Sequence, residues 1–176
     1  MYRLTALLLL MLMSLPLHSG WDPSGDDELV RKARQTIEEF RRQDPSLSRF
    51  FSQAKAYAVY PTVGKAGFWI GGAYGEGVVF SGGKVIGLSD LKQVSLGLQF
   101  GGQAYSEIIF FRDQTALDRL KAEKMEFDAQ VSAVVADRGA AANADYHHGV
   151  AVFTLTKGGL MAEASVGGQS FSFTPR

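Results

Sequence analysis

Few side chains of this sequence could carry out acid–base or nucleophilic catalysis, and none stands in a recognisable catalytic arrangement. General acid–base chemistry usually needs two groups held close to the same bond. The candidate carboxylates lie far apart in the sequence: Glu107, Asp137, Asp145 and Glu163. The chain has no cysteine, which excludes thiolate catalysis, disulfide bonds and cysteine-ligated zinc. We therefore expect no catalytic residues and a protein that is not an enzyme.

Motifs for phosphate, nucleotide and metal binding are also incomplete. A P-loop needs serine or threonine after its lysine, but Gly83 and Lys84 are followed by Val85. Beyond the N-terminal apolar segment the only histidines are His147 and His148. Neighbouring residues of a strand point to opposite sides, and no third ligand is suitably spaced. The sequence therefore predicts neither a metal site nor a cofactor.

The residues that remain are suited to binding lipid. A lipid site combines an apolar or aromatic surface with a few cations, because the head-group phosphate is anionic and the acyl chains are not. The glycine-rich stretch 54–80 offers the candidates Lys55, Lys65, Phe68, Trp69 and Tyr74. The preceding amphipathic segment adds the cations Arg31, Lys32 and Arg34. Phe68 and Trp69 could instead be core residues, and the amphipathic segment could simply pack on a sheet.

Three segments of the chain resemble the SYLF domain, a family of lipid-binding modules. They are AKAYAVYPTVGKAGFWIGGAYGEGVV (54–79), IGLSDLKQVSLGLQFGGQAYSEIIFF (86–111) and GVAVFTLTKGGLMAEASVGGQ (149–169). The resemblance extends over about residues 29–173, and the pieces KAGF (65–68) and FGGQ (100–103) come in the family's order. It implies binding of phospholipid or phosphoinositide head groups, with basic contacts in the N-terminal half. Lys65 is the best single match.

Glycine is unusually dense in a segment that otherwise has the composition of two strands, 56–63 and 67–80, with Gly64 and Lys65 as the turn. Glycine weakens a strand by roughly 0.5–1 kcal/mol relative to alanine. It is favoured where a sheet bends sharply or where another backbone comes close. The sequence therefore predicts a strongly curved, mostly antiparallel and nearly closed sheet of about seven to nine strands.

Helical periodicity places two helices before this sheet and one within the later part of the chain, which makes the fold class α+β. The predicted helices are 26–43, a short one beginning at Asp44 and Pro45 and ending near 53, and 114–124. Ser81, Gly82 and Gly83 predict a hairpin turn. The other predicted strands are 84–88, a pair 93–100 and 103–111, then 127–136, 149–156, 160–167 and 170–174.

The N-terminal residues 1–20 have the pattern of a secretory signal: Arg3, then an apolar run, then Ser19 and Gly20. The run of about 14 apolar residues is shorter than the roughly 20 that span a bilayer, so a membrane anchor is the less favoured alternative. We expect cleavage near Gly20, a linker over 21–25 and one SYLF-like domain over 26–176. The predicted location is the periplasm, with or without peripheral membrane contact.

Charge and composition leave three classes of function. The 18 basic and 18 acidic residues balance, so no overall field attracts nucleic acid. The first expectation is a non-catalytic protein of the cell envelope that binds anionic lipid head groups through a basic and aromatic face, with a phospholipid or membrane surface as partner. The alternatives are an envelope scaffold that binds a protein partner without lipid, and an enzyme of unrecognised type.

Overall fold

The computed structural model describes residues 23–67, 70–96, 103–127, 132–157 and 166–176. The helices are α1 (Pro23–Gln43), α2 (Ser48–Gln53) and α3 (Gln114–Lys121), and short 3-10 turns occupy Pro45–Leu47 and Ala140–Asn143. The strands are β1 (Ala56–Gly67), β2 (Ile70–Ser81), β3 (Lys84–Leu96), β4 (Gln103–Phe111), β5 (Ala133–Val135), β6 (Val150–Thr156), β7 (Gln169–Phe171) and β8 (Thr174–Pro175).

The strands form one curled sheet in the order β5-β6-β4-β1-β2-β3-β7, with β8 paired to β3. All pairs are antiparallel except β5 with β6, which is parallel. The edge strands of this order are β5 and β7. Strand β5 pairs with β6, and Glu126, which precedes β5 in the chain, bridges Ser170 in β7. The result is a half-barrel with three helices, which confirms the predicted α+β fold and the curved, mostly antiparallel sheet.

The sheet is buried on both faces, because strand side chains alternate between two hydrophobic cores. On one face, called the α1 face, Val59, Val78 and Ile108 pack in a core with residues of α1 and α2. On the other, the α3 face, Val79 and Ile109 pack in a core with α3 and the C-terminal strands. Every residue of a central strand is thereby assigned to one side or the other, which decides which predicted site residues can meet.

Close backbone approach explains two of the glycines in β2. A β-bulge interrupts the β1–β2 ladder between Val59 and Thr62, and it accommodates Pro61, whose missing N–H the ladder does not need there. The bulge sets the ring of Tyr60 over Gly77, where an added Cβ would lie 2.5 Å from Tyr60 Cδ1. At Gly75 an added Cβ would lie 2.9 Å from Val63 Cγ2. At Gly75 and Gly77 the predicted reason for glycine, the close approach of a neighbouring strand, is confirmed.

Two predicted strand boundaries in the first half of the sheet are wrong. The residues Gly64 and Lys65 belong to β1, where they pair with Tyr74 and Ala73 of β2. An added Cβ at Gly64 would meet nothing within 4 Å, so no close contact requires glycine at this strand position. The gap predicted between the strands 84–88 and 93–100 is also absent, since β3 runs unbroken from Lys84 to Leu96 against β2.

The predicted strands 93–100 and 103–111 do not pair with each other, because β1 and β2 lie between β3 and β4 in the sheet. The strand pattern of a segment carries no information about which strands are its neighbours. The hairpin at Gly82 and Gly83 is confirmed, and both glycines have positive φ, 56° and 77°. Residues 97–102, 128–131 and 158–165, on which parts of three predicted strands fall, lie outside the described residues.

The helices follow the predicted boundaries closely. Helix α1 begins at Pro23, inside the predicted linker, and α3 ends at Lys121. Asp44 caps the 3-10 turn that precedes α2, as its position before Pro45 predicted. Among the described residues, no helix has both the length and the apolar character needed to cross a bilayer.

Asp44 joins the N-terminal helices to the loop after β5, and its removal should destabilise the protein. Its buried carboxylate accepts hydrogen bonds from the backbone N–H groups of Ser46, Gly139 and Ala141, at 3.0, 3.1 and 2.7 Å, and from the Ser46 hydroxyl at 2.6 Å. Burial favours the neutral acid, but these hydrogen bonds outweigh it and lower the pKa of Asp44. We expect Asp44→Ala to cost about 1–2 kcal/mol at neutral pH.

The measurement is urea unfolding of both proteins at pH 7 and again in acid. Because the folded-state pKa lies below the unfolded one, the contribution of Asp44 is present at neutral pH and lost as the pH falls through the folded value. The difference between wild type and Asp44→Ala should therefore shrink in acid. An equal difference at both pH values would contradict a role for the ionised carboxylate.

Candidate functional site

The predicted lipid-binding residues do not form one cluster. Arg31 and Lys32 lie on the solvent side of α1, where both contact Glu28, at 3.7 and 2.9 Å. Arg31 also donates to the Gln35 side chain at 3.1 Å. Exposed pairs of this kind contribute little to stability, at most about 1 kcal/mol. These two cations therefore face solvent beside an acid of the same helix and meet no aromatic ring of the sheet in the described contacts.

Lys65 and Tyr74 lie on opposite faces of the sheet. Lys65 pairs with the buried Ala73 of the α3 face, whereas Tyr74 pairs with Gly64 and points the other way. Tyr74 is 49% exposed and its hydroxyl lies 3.5 Å from Asp90. Burial lowers the pKa of Lys65. Phe68 and Trp69 lie outside the described residues, so the ring pair expected beside Lys65 stays a prediction.

Lys55 is far from Lys65, although both belong to the same stretch of sequence. Lys55 immediately precedes β1, and Lys65 lies near the other end of that strand. Ten residues of extended chain span about 33 Å, at roughly 3.3 Å per residue. A single phospholipid head group cannot contact both amines, so they belong to different surfaces.

Arg34 and Lys55 both lie at the end of the sheet that α1 and α2 cover, since Phe80, the ring beneath Arg34, pairs with Tyr57. The guanidinium carbon of Arg34 lies 5.3 Å from the ring centre of Phe80, and that of Arg41 lies 4.3 Å from the ring centre of Phe51. The two arginines are seven residues apart, which places them on the same side of an α-helix. Cations over aromatic faces at these distances are attracted by the ring quadrupole.

Tyr57 connects these two cation–ring pairs. Its ring stacks on Phe80, with centroids 5.4 Å apart, and meets Phe51 edge-on at 5.3 Å. Burial raises the pKa of Tyr57, and the nearby charges of Arg41 and Arg34 partly oppose that shift. Lys55 immediately precedes β1 and lies at this same end of the sheet, two residues before Tyr57. We call Arg34, Arg41, Phe51, Lys55 and Tyr57 the basic–aromatic surface.

Strand order brings further cations to this same end of the sheet. The start of β1 lies beside the end of β4, since Lys55 N–H donates to the carbonyl of Phe111 at 2.9 Å. Arg112 follows there, paired with Asp113 at 3.2 Å. The end of β2 is equally close, because the Ser81 hydroxyl donates to the Lys55 carbonyl at 2.9 Å, and Ser81 pairs with Lys84. This end of the half-barrel is therefore rimmed by basic side chains.

The residues with catalytic potential stay apart. Glu107 is fully buried, while Asp137 and Asp145 are exposed, and Glu163 lies outside the described residues. His147 and His148 are both exposed. Within the described part of the chain, no three histidine or acidic side chains are grouped in a way that could hold a metal ion. Among the described residues, these candidate groups are therefore not brought together at one site.

Three members of the basic–aromatic surface, Arg41, Phe51 and Tyr57, were not among the residues predicted for the site. The seven-residue spacing of Arg34 and Arg41 was a usable signal for a shared helix side. No sequence signal indicated that Phe51 would lie beneath Arg41, because that contact joins separate elements.

Comparison with known proteins gives a family match in the C-terminal part of the chain. Residues 92–175 match the family model Ysc84, described as "Las17-binding protein actin regulator". The chain is also 26% identical over 131 residues to "Beta cell expansion factor A" of Aeromonas veronii, an alignment that covers 73% of this chain and 49% of that protein. The chain thus aligns with about half the length of this curated relative.

Proposed function

Since the chain carries a SYLF (Ysc84) domain in residues 92–175, as its sequence motifs predicted, we propose that it is a non-catalytic lipid-binding protein of the cell envelope. Membership of this family suggests a role in lipid binding or of the actin-regulator type. The partner in this proposal is an anionic phospholipid surface. The contact is made by the basic–aromatic surface, with no cofactor.

The observation that carries the proposal is the seating of two arginines on aromatic rings at one end of the sheet. Arg34 and Arg41 lie 5.3 and 4.3 Å from ring centres, and both side chains are exposed on their outer side. A guanidinium held in this way keeps its charge and its hydrogen-bond donors for a phosphate. The half-buried ring of Tyr57 supplies the amphipathic contact that suits the boundary between head groups and acyl chains.

The proposed location rests on the N-terminal segment. Residues 1–20 have the composition of a secretory signal, and the protein would act in the periplasm after cleavage near Gly20. Bacterial phospholipids such as phosphatidylglycerol would then be the anionic surface that it meets. Detection of the mature protein in a periplasmic fraction, with its N-terminus sequenced, tests this location.

Charge reversal on α1 tests the proposed surface. We expect Arg34→Glu/Arg41→Glu to weaken binding to anionic vesicles by roughly 30-fold or more, because each cation near such a membrane contributes about 1 kcal/mol. The measurement is co-sedimentation with phosphatidylglycerol vesicles and with neutral vesicles across a salt series. Wild-type binding should fall with salt, since exposed charges are screened.

The matched control is Arg31→Glu/Arg42→Glu, which makes the same change in net charge on the solvent side of the same helix. It should bind nearly as well as wild type. Equal losses in both double variants would show that overall charge matters and the proposed surface does not. Lys65→Glu in the same assay tests the opposite face, which the family resemblance favours. No binding to any vesicle would instead support the protein-interaction scaffold.

A further inference from the structure

The α3 face of the sheet buries polar side chains in the middle of its hydrophobic core. The buried polar members are Ser89, Gln93, Glu107, Thr154 and Gln169, each no more than 3% exposed, and they adjoin the rings of Tyr60 and Tyr105. Glu107 of β4 lies at the centre, since its two cross-strand partners are Tyr60 in β1 and Thr154 in β6. Such a cluster requires an account of its hydrogen bonds, because buried polar groups are normally paired.

Part of the cluster is internally satisfied. The hydroxyls of Tyr60 and Ser89 are 2.8 Å apart, and Ser89 donates to the carbonyl of Ser172 at 2.7 Å. The side-chain amide of Gln169 donates to Glu107 Oε2 at 3.0 Å and to the Tyr105 hydroxyl at 3.3 Å. Through these bonds β7 closes over the carboxyl group of Glu107.

Glu107 Oε1, Thr154 Oγ1 and Gln169 Oε1 are oxygen atoms of the cluster that have no hydrogen-bond partner. They come from β4, β6 and β7, and both other residues neighbour Glu107: Thr154 is its cross-strand partner, and Gln169 is bonded to its Oε2. Leaving a buried polar atom unsatisfied costs about 1–3 kcal/mol, so three in one place are unfavourable together. All three atoms can accept a hydrogen bond or coordinate a cation, so one bound cation would satisfy them together.

We propose that Glu107 Oε1, Thr154 Oγ1 and Gln169 Oε1 form an internal site for a monovalent hard cation such as Na⁺ or K⁺. Carboxylate, amide and hydroxyl oxygens are the ligands that hard cations prefer. One carboxylate balances one unit of charge, which suits a monovalent cation better than a divalent one. A water molecule would supply donors but would leave the buried carboxylate charge without compensation.

A proton is the competitor for this site. In the absence of a cation, burial raises the pKa of Glu107 to about 8, partly opposed by the hydrogen bond from Gln169. The titratable neighbours on the same face are Tyr60 and Tyr105, whose phenols burial keeps neutral by raising their pKa. Lys65 is separated from Glu107 by the pair Val63 and Tyr105 and forms no ion pair with it in the described contacts. Only the ionised carboxylate is a cation ligand, so cation binding should strengthen as the pH rises.

The test compares thermal unfolding of the mature protein at pH 9 and pH 6 in equal concentrations of sodium, potassium and tetramethylammonium chloride. The last cation is too large for a site inside the core. At pH 9 we expect the unfolding midpoint to be higher by about 3–5 °C in sodium or potassium chloride than in tetramethylammonium chloride. At pH 6 the difference should disappear, because the proton then occupies the carboxyl group.

Variants separate this site from general salt effects. Glu107→Gln should abolish the difference between cations, and Glu76→Gln, which changes an exposed acid in the neighbouring region, should keep it. Thr154→Val removes one ligand without changing the charge and should at least halve the shift; it decides the matter if Glu107→Gln does not fold. Equal unfolding midpoints in the three chlorides at pH 9 would overturn the proposal. So would Glu107→Gln and Thr154→Val proteins that both keep the full difference between the cations. No outcome depends on lipid binding.

Discussion

Glu107→Gln is expected to remove a large pH dependence from the stability of the protein. The ordinary pKa of a glutamate side chain is 4.5, and burial in the folded protein raises the pKa of Glu107 to about 8. Between these values the folded state binds a proton that the unfolded state has released, so the free energy of unfolding falls as the pH rises. The slope is about 1.4 kcal/mol per pH unit, and the wild type should lose roughly 3–5 kcal/mol by pH 9.

The amide variant keeps the shape of the side chain and cannot ionise. Glu107→Gln should resemble wild type at pH 5 and be the more stable protein at pH 9. Urea unfolding in tetramethylammonium chloride measures this without a cation that fits the site. Glu76→Gln serves as the control, because Glu76 is exposed and should leave the pH profile of wild type unchanged. Parallel profiles for Glu107→Gln and wild type would show that the buried carboxyl does not titrate as inferred.

Gly77→Ala is expected to destabilise the protein by about 2–3 kcal/mol, at the upper range for overpacking in a core. The added Cβ would lie 2.5 and 2.6 Å from two carbons of the Tyr60 ring and 2.9 Å from the Val59 carbonyl oxygen. The Tyr60 ring cannot move away easily, since its hydroxyl is held by Ser89 in the same core. The Val59 carbonyl belongs to the sheet backbone and has even less freedom.

Gly64→Ala is the matched control, because it makes the same substitution in the neighbouring strand where an added Cβ meets nothing within 4 Å. This variant should be neutral or slightly stabilising, since alanine restricts the unfolded chain. Denaturant unfolding of the two variants at pH 7 gives the comparison. Similar stabilities for both would mean that the close approach at Gly77 is not a constraint on the fold.

Strand and helix positions were largely predictable because they depend on local periodicity. The predicted bounds 103–111 are those of β4, and the capping residues Asp44 and Pro45 gave the turn before α2. Turns marked only by glycine were less reliable. Gly82 and Gly83 need positive φ and do form a turn, whereas Gly64 lies in a strand. Composition alone does not distinguish these two uses of glycine.

The candidate site was less predictable than the fold. Lys65 and Tyr74 are close in sequence, but their side chains leave opposite faces of the sheet. Arg34 and Lys55 were both predicted and do share a surface, yet the rings beside them, Phe51 and Phe80, belong to different elements. The burial of Glu107 was also not predicted, because a single acid in a strand is usually expected on the solvent side.

By itself the amino-acid sequence determined the α+β class, the curled sheet, the cap at Asp44 and the resemblance to the SYLF family, since each follows from local periodicity, conformational preference or a continuous motif. Only the tertiary structure decided which strands are neighbours and which faces are covered. Those depend on contacts between residues far apart in the chain. They place two arginines on rings at one end of the sheet, and they enclose Glu107 with Thr154 and Gln169 in a buried core.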